Sequence, residues 1–272
     1  MPESHSPPAD PFSEFRPDPT RLGLAGRILW LATSVLSGLL RFAFHLLYHQ
    51  LAFTYDMVAW IVSGGEWADW RRCVLPYLPP GRVLEIAHGT GTLSLEMAGR
   101  GYPVTAVDLS PAMGKIAAGK KRKWMIQARN GVFGVSNPQP DAAGKTAAGP
   151  ALVRADVRRL PFPGGIFSSA VATFPADFLF HPLTYREVHR ALRPGGRWII
   201  VPTAYPEWLA KRWLPDEKSN PSDGVWGIII QRLQECGFTV RMEIVRRLRS
   251  RVLLILVEKS GTPQGAIPVE KS

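Results

Sequence analysis

The sequence predicts an α/β protein. Its expected core is a seven-stranded, mostly parallel sheet with helices on both faces, a C-terminal antiparallel hairpin and a hydrophobic helical extension in front. Three observations carry this. Short apolar runs alternate with helix-length segments and with Gly- and Pro-rich turns. The first run, Val83–Ile86, enters a glycine turn through Ala87 and His88 to Gly89, Thr90 and Gly91, and residues 92–97 read as the start of a helix. A strand, glycine loop and helix in that order let a nucleotide-like ligand approach backbone N–H groups closely. Seventeen residues past Gly91, Asp108 closes a second apolar run, where a carboxylate can accept from both hydroxyls of a ribose.

Residues 1–21 are proline-rich and polar, have little to bury and are expected to be disordered. They lack the basic start, apolar core and cleavage site of a secretory signal. Residues 22–75 are expected to form hydrophobic or amphipathic helices. The uncharged run of 13 residues from Ile28 to Leu40 is shorter than the roughly 18–20 a membrane span requires. Arg27, Ser34, Ser37, Arg41, His45 and His49 draw a narrow polar stripe along it. Such a helix lies in a membrane interface or packs as a lid on its own domain.

The core is expected over residues 76–259, with a flexible insertion at 130–150 and a loose tail at 260–272. Ser110 and Pro111 start a helix after Asp108, the first as cap and the second at its first position. Its basic cluster (Lys115, Lys120, Lys121, Arg122, Lys123) reads as a solvated face or as an extension of a membrane-facing patch. A third strand runs from Ala151 to Val157 and contains Asp156; residues 168–174 form the fourth. A helix over 185–192 ends at Arg193-Pro194-Gly195-Gly196. Residues 197–201 form the fifth strand, and 203–221 a loop or short helix. A last helix ends at Cys236, the sixth strand starts at Gly237, and 251–257 form the seventh.

At 272 residues the chain holds one α/β domain with appendages, and 46% apolar residues suffice for a sizeable core. Cys73 and Cys236 have no metal-ligand spacing and read as packed thiols in a reducing compartment. No metal site is expected. The net charge of +11 suits anionic lipid headgroups or anionic substrates. Nucleic acid is a poor candidate, since interleaved aromatic and basic residues are missing.

Glu85, Gly89, Gly91, Asp108, Asp156, the segment from Leu160 to Gly165 and Leu192-Arg193-Pro194-Gly195-Gly196 together resemble the class I S-adenosylmethionine-dependent methyltransferases, whose core is Rossmann-like. The resemblance covers about residues 50–259. Its local pattern is nearest to the ubiquinone/menaquinone and phospholipid methyltransferase branch. It implies S-adenosylmethionine as cofactor and S-adenosylhomocysteine as product. It also implies a cofactor site of Tyr55, Glu85, Ala87, His88, Gly89, Gly91, Asp108, Leu109, Met113, Asp156, Val157, Thr173 and Phe174. Ala87 departs from the family, which has glycine there. His88 reads as a loop histidine bonded locally or, less simply, as a base. His181 is a candidate general base or a helix cap.

The function expected is methyl transfer to a lipophilic small molecule, a membrane lipid or a quinone-like ring, by a protein peripheral on the cytoplasmic face of a membrane through residues 22–62. The alternatives are a soluble natural-product methyltransferase with a hydrophobic lid, and a catalytically silent cofactor-binding scaffold at a membrane. A nicotinamide dehydrogenase is more remote, because Asp156 and the final hairpin have no place in one.

Overall fold

A computed structural model describes residues 55–129, 149–175, 177–207 and 225–261, with residues 210 and 214. The expectations for 1–21, most of 22–62, the body of the 130–150 insertion and the tail past 261 lie outside these. Two helices lead in, α1 (Tyr55–Val62) and α2 (Trp67–Arg72). The chain continues through β1 (Val83–Ile86), α3 (Thr92–Gly99), β2 (Val104–Asp108), α4 (Pro111–Arg129), β3 (Ala151–Arg154) and β4 (Phe167–Thr173). It ends with α5 (Pro182–Ala191), β5 (Leu192–Pro206), α6 (Val225–Glu235), β6 (Phe238–Arg246) and β7 (Ser250–Lys259).

The seven strands form one sheet in the order β3-β2-β1-β4-β5-β7-β6. Pairing is parallel from β3 to β5, while β7 runs antiparallel to both β5 and β6. From β1 the chain winds outward to β2 and β3, then returns to β4 on the other side of β1. The direction of winding reverses there, and open sheets of this kind bind ligands beside that reversal.

Period-two alternation sorts the strands' side chains into two apolar layers. Leu84, Ile86, Trp198, Ile200, Ile255 and Val257 pack with Tyr185 and Val188 of α5 and with Ile229 and Leu233 of α6. On the opposite face Val83, Ile199, Val201, Val252 and Leu254 pack with Trp70 of α2 and with Leu93 and Met97 of α3. Both faces are covered, so β1 reads as an unbroken apolar run whose one polar member, Glu85, is buried too. Both cysteines are free, and burial pushes each thiol up from its ordinary value.

Three elements depart most from the sequence expectation. β5 runs from Leu192 to Pro206 instead of 197–201, because Thr203 to Pro206, expected in a loop, pair with Leu253 to Ser250 of β7. β3 stops at Arg154, and Asp156 instead caps a 3-10 turn over Val157–Arg159 by accepting from Arg158 N. α5 starts at Pro182, three residues earlier than expected, with His181 as its cap.

Candidate functional site

The site is built at the carboxyl ends of β1, β2 and β4. Past Ile86 the chain turns at once: Ala87 takes φ +55°, a left-handed conformation that costs a residue with a Cβ about 1 kcal/mol or more. That is a physical reason for a glycine to suit this position better. His88 N–H donates to Val107 O at 3.2 Å, and Gly91 N–H to His88 O at 2.9 Å, which closes the turn. The His88 imidazole is buried, and its Nδ1 lies 2.8 Å from Gly89 O, so Nδ1 carries the proton and donates. Burial holds its pKa below the ordinary imidazole value, against the pull of Asp108. His88 is therefore a neutral residue that stiffens the loop.

The two glycines serve different ends. A Cβ on Gly89 (φ +54°) would meet nothing within 4 Å, so that face of the loop is open to a ligand. A Cβ on Gly91 (φ +74°) would meet Ala117 Cβ of α4 at 2.7 Å. Gly91→Ala is thus expected to destabilise the fold by about 2–4 kcal/mol, from the left-handed backbone plus the overlap with α4. Chemical denaturation measures it, and Gly89→Ala should cost only the backbone part.

Asp108 ties the elements together. Its Oδ2 accepts from Gly89 N at 2.8 Å and its Oδ1 from Ser110 N at 2.8 Å, so one carboxylate bridges the glycine loop and the start of α4. Ser110 Oγ accepts from Met113 N at 3.4 Å and caps the helix as expected. Leu109 stands exposed on the lip, while Met113 is wholly buried beneath it. Glu85 is also wholly buried, accepts a hydrogen bond from Ser94 and is pushed up to about 7 by desolvation, against the attraction of Arg71.

On the β3 side, both oxygens of Asp156 are engaged by Arg158: Nε at 2.9 Å from Oδ1 and Nη2 at 2.5 Å from Oδ2. These bonds hold the carboxyl below its usual range, and His181 is near enough to add to the effect. Val157 is buried at the start of the following turn. The loop after it hangs on an ion pair of α5. Leu160 N donates to Glu187 Oε2 at 2.8 Å, and Arg190 Nη1 to Phe162 O at 2.7 Å.

On the β4 side, Thr173 is half-buried and ends the strand. Phe174 takes φ +50°, donates from N to Val201 O at 2.7 Å and stacks its ring on Trp67 of α2, with centroids 4.3 Å apart. Trp67 thus covers one face of Phe174, a residue of the expected cofactor site. His181 Nδ1 accepts from Leu183 N at 3.2 Å. The lone pair a base requires is taken up by that cap, so of its two readings the geometry matches the cap. Tyr55 opens α1, the helix that also carries Asp56.

Two features were not expected from sequence. Lys120 of α4, read as part of a solvated basic face, turns inward to Asp56, Thr90 and Thr92. Arg158 occupies Asp156. The first lay hidden in a run of like charges. The second had a local sign, an arginine two residues past an acid.

Residues 84–200 match the methyltransferase domain family. Over those residues the chain is similar to methyltransferase domains. Among relatives of known name, a demethylmenaquinone methyltransferase from Beutenbergia cavernae is 31% identical over 166 residues, which cover 60% of this chain and 58% of that one. The C-methyltransferase UbiE of ubiquinone/menaquinone biosynthesis from Paracoccus denitrificans is 27% identical over 192 residues, covering 68% and 69%. The chain spans less than two thirds of the length of several of these relatives, 58%, 60% and 63% in three cases. A solved structure of a methyltransferase from Methanosarcina mazei overlays 69% of this chain and 97% of its own with a TM-score of 0.47 at 19% identity.

Proposed function

We propose that this chain transfers the methyl group of S-adenosylmethionine to a lipophilic, quinone-like acceptor. The observation that carries the cofactor is the pairing of the open face of Gly89 with the Asp108 carboxylate, which is fixed by two backbone N–H groups and keeps lone pairs for ribose hydroxyls. Bound there, S-adenosylmethionine supplies an electrophilic methyl on a sulfonium. Asp108 would hold the ribose, Ala87, His88, Gly89 and Gly91 the loop against the methionine part, and Glu85 its amino group. Leu109, Val157 and Asp156 would flank the adenine, with Arg158 yielding part of its hold on Asp156. Thr173 and Phe174 close the β4 side.

Of the two histidines at the site, His181 spends its Nδ1 lone pair on the cap of α5, and His88 is buried within the loop turn. Catalysis then rests on proximity and orientation, which supply up to roughly 7–11 kcal/mol in favourable cases. The reading of the acceptor is supported by relatives whose names specify demethylmenaquinone and ubiquinone/menaquinone biosynthesis. α1 exposes Met57, Trp60, Ile61 and Val62, an apolar face suited to a lipid interface, and the +11 charge suits an anionic one. Among the described residues no helix is long and apolar enough to cross a membrane; the contact proposed is a peripheral one.

The test is isothermal titration of S-adenosylmethionine and S-adenosylhomocysteine, followed by turnover with a reduced demethylmenaquinone of short chain. Micromolar binding and release of S-adenosylhomocysteine are expected. Binding without turnover on any lipophilic acceptor would move the scaffold reading to the front. Turnover without flotation on anionic liposomes would leave α1 a lid.

A further inference from the structure

We infer that Lys120 is a positioning residue that locks α1 and the glycine loop into one unit and so sets cofactor affinity; the affinity part rests on the methyltransferase reading. The ammonium has three donors, and three acceptors meet it: Asp56 of α1, Thr90 Oγ1 at 2.9 Å and Thr92 Oγ1 at 2.8 Å. Thr90 in turn donates to Asp56 Oδ1 at 2.8 Å. Thr90 stands between the two glycines of the turn, and Thr92 is the first residue of α3. One side chain therefore reaches the middle of the turn, the first residue of the helix after it, and α1.

The contact is reinforced one turn earlier on the same helix. Ala117 sits against Gly91, so α4 meets the loop by close packing at 117 and by charge at 120. Thr90 is buried, whereas Lys120 and Asp56 are about a third exposed, with side-chain exposures of 32% and 40%. An exposed pair alone is worth little. Here the pair also satisfies the hydroxyl of a buried threonine, so its loss leaves that group to find a new partner. Among the described residues Lys121, Arg122 and Lys123 share no such set of contacts, which singles Lys120 out of its cluster.

The experiment compares Lys120→Met, Lys120→Arg, Asp56→Asn and the Lys120→Met/Asp56→Asn double variant in the full chain. Two readouts are taken: amide hydrogen exchange over residues 55–62 and 88–92, and titration with S-adenosylhomocysteine. Lys120→Met is expected to speed exchange in both segments while β1 and β4 keep their protection. If it lowers the binding-competent fraction to about a tenth, the apparent Kd rises about tenfold. At saturating cofactor kcat should stay within about threefold, since interactions common to ground and transition states act on binding. Lys120→Arg should restore part of the affinity, and the double variant should be no worse than the worse single, because the groups act together.

Unchanged exchange in α1, or singles whose effects add, would overturn the lock. Altered exchange with unchanged Kd would overturn its part in cofactor affinity. A wild-type chain that binds neither S-adenosylmethionine nor S-adenosylhomocysteine would overturn the methyltransferase reading instead, and the exchange data would still decide whether the lock exists.

Discussion

Glu85→Gln is expected to stabilise the protein above neutral pH and to flatten its pH–stability curve. The Glu85 carboxyl is wholly buried and is pushed up from 4.5 to about 7, chiefly by desolvation, so the folded state holds a proton that the unfolded chain releases. Its contribution is therefore fully present below pH 4.5, falls as pH rises from 4.5 to 7, and is constant above. The loss amounts to about 3 kcal/mol across that window. Glutamine cannot ionise and still accepts the Ser94 hydroxyl, though its amide needs an acceptor of its own. A net gain of about 2 kcal/mol at pH 8, or roughly 4–8 °C in Tm, is expected, shrinking to nothing by pH 4.5. Thermal unfolding of both proteins from pH 4.5 to 8.5 measures it. Parallel curves would mean that another group carries the dependence. If Glu85 also meets the cofactor's amino group, the same variant binds S-adenosylmethionine more weakly while being more stable.

Asp108→Ala has the opposite profile. It removes the acceptor of two backbone N–H groups, each bond to a charged group being worth about 1.5–3 kcal/mol, and frees the glycine loop from the start of α4. A lower Tm is expected, with a rise in Kd for S-adenosylmethionine of at least about 100-fold, or roughly 3 kcal/mol. Asp108→Asn keeps an acceptor oxygen for one of the two N–H groups and should fall between. Titration calorimetry on the three proteins checks the order. An Asp108→Ala chain that folds and binds as the wild type does would remove this carboxylate from the site.

What could be read in the sequence was what is written locally. Val83 to Ile86 and Val104 to Asp108 are apolar runs bounded by turn residues, and they became β1 and β2 with those ends. The place of Asp108 at the end of the second strand was legible, whereas its bond from the Gly89 N–H depends on how the loop turns back over β2. The length of β5 was not legible, because Thr203 to Pro206 become strand only through their partners on β7, some 50 residues on. The cap on α5 was legible, since a capping side chain followed by Pro182 marks a helix start, but the early turn was read as loop. Lys120 and Phe174 mark the real limit. Which lysine of a basic run turns inward depends on where α1 packs, and the ring of Phe174 is hidden by a tryptophan more than a hundred residues earlier.

The sheet's two outer strands bear on how the protein behaves when crowded. A bare strand edge offers unpaired N–H and C=O groups to any other chain, and natural sheets shorten or charge such edges. Here one outer strand, β3, is only four residues long and ends in Arg154, whose Nε bonds to Leu109 O at 3.2 Å. The other, β6, carries Arg241 and Glu243, 2.8 Å apart, and closes on Arg246. Among the described residues neither edge presents a long apolar template. A second copy adding itself strand to strand would have to strip water from those guanidinium groups. These charges oppose strand-to-strand joining of the described sheet, and loss of Arg241 and Arg246 is expected to lower solubility.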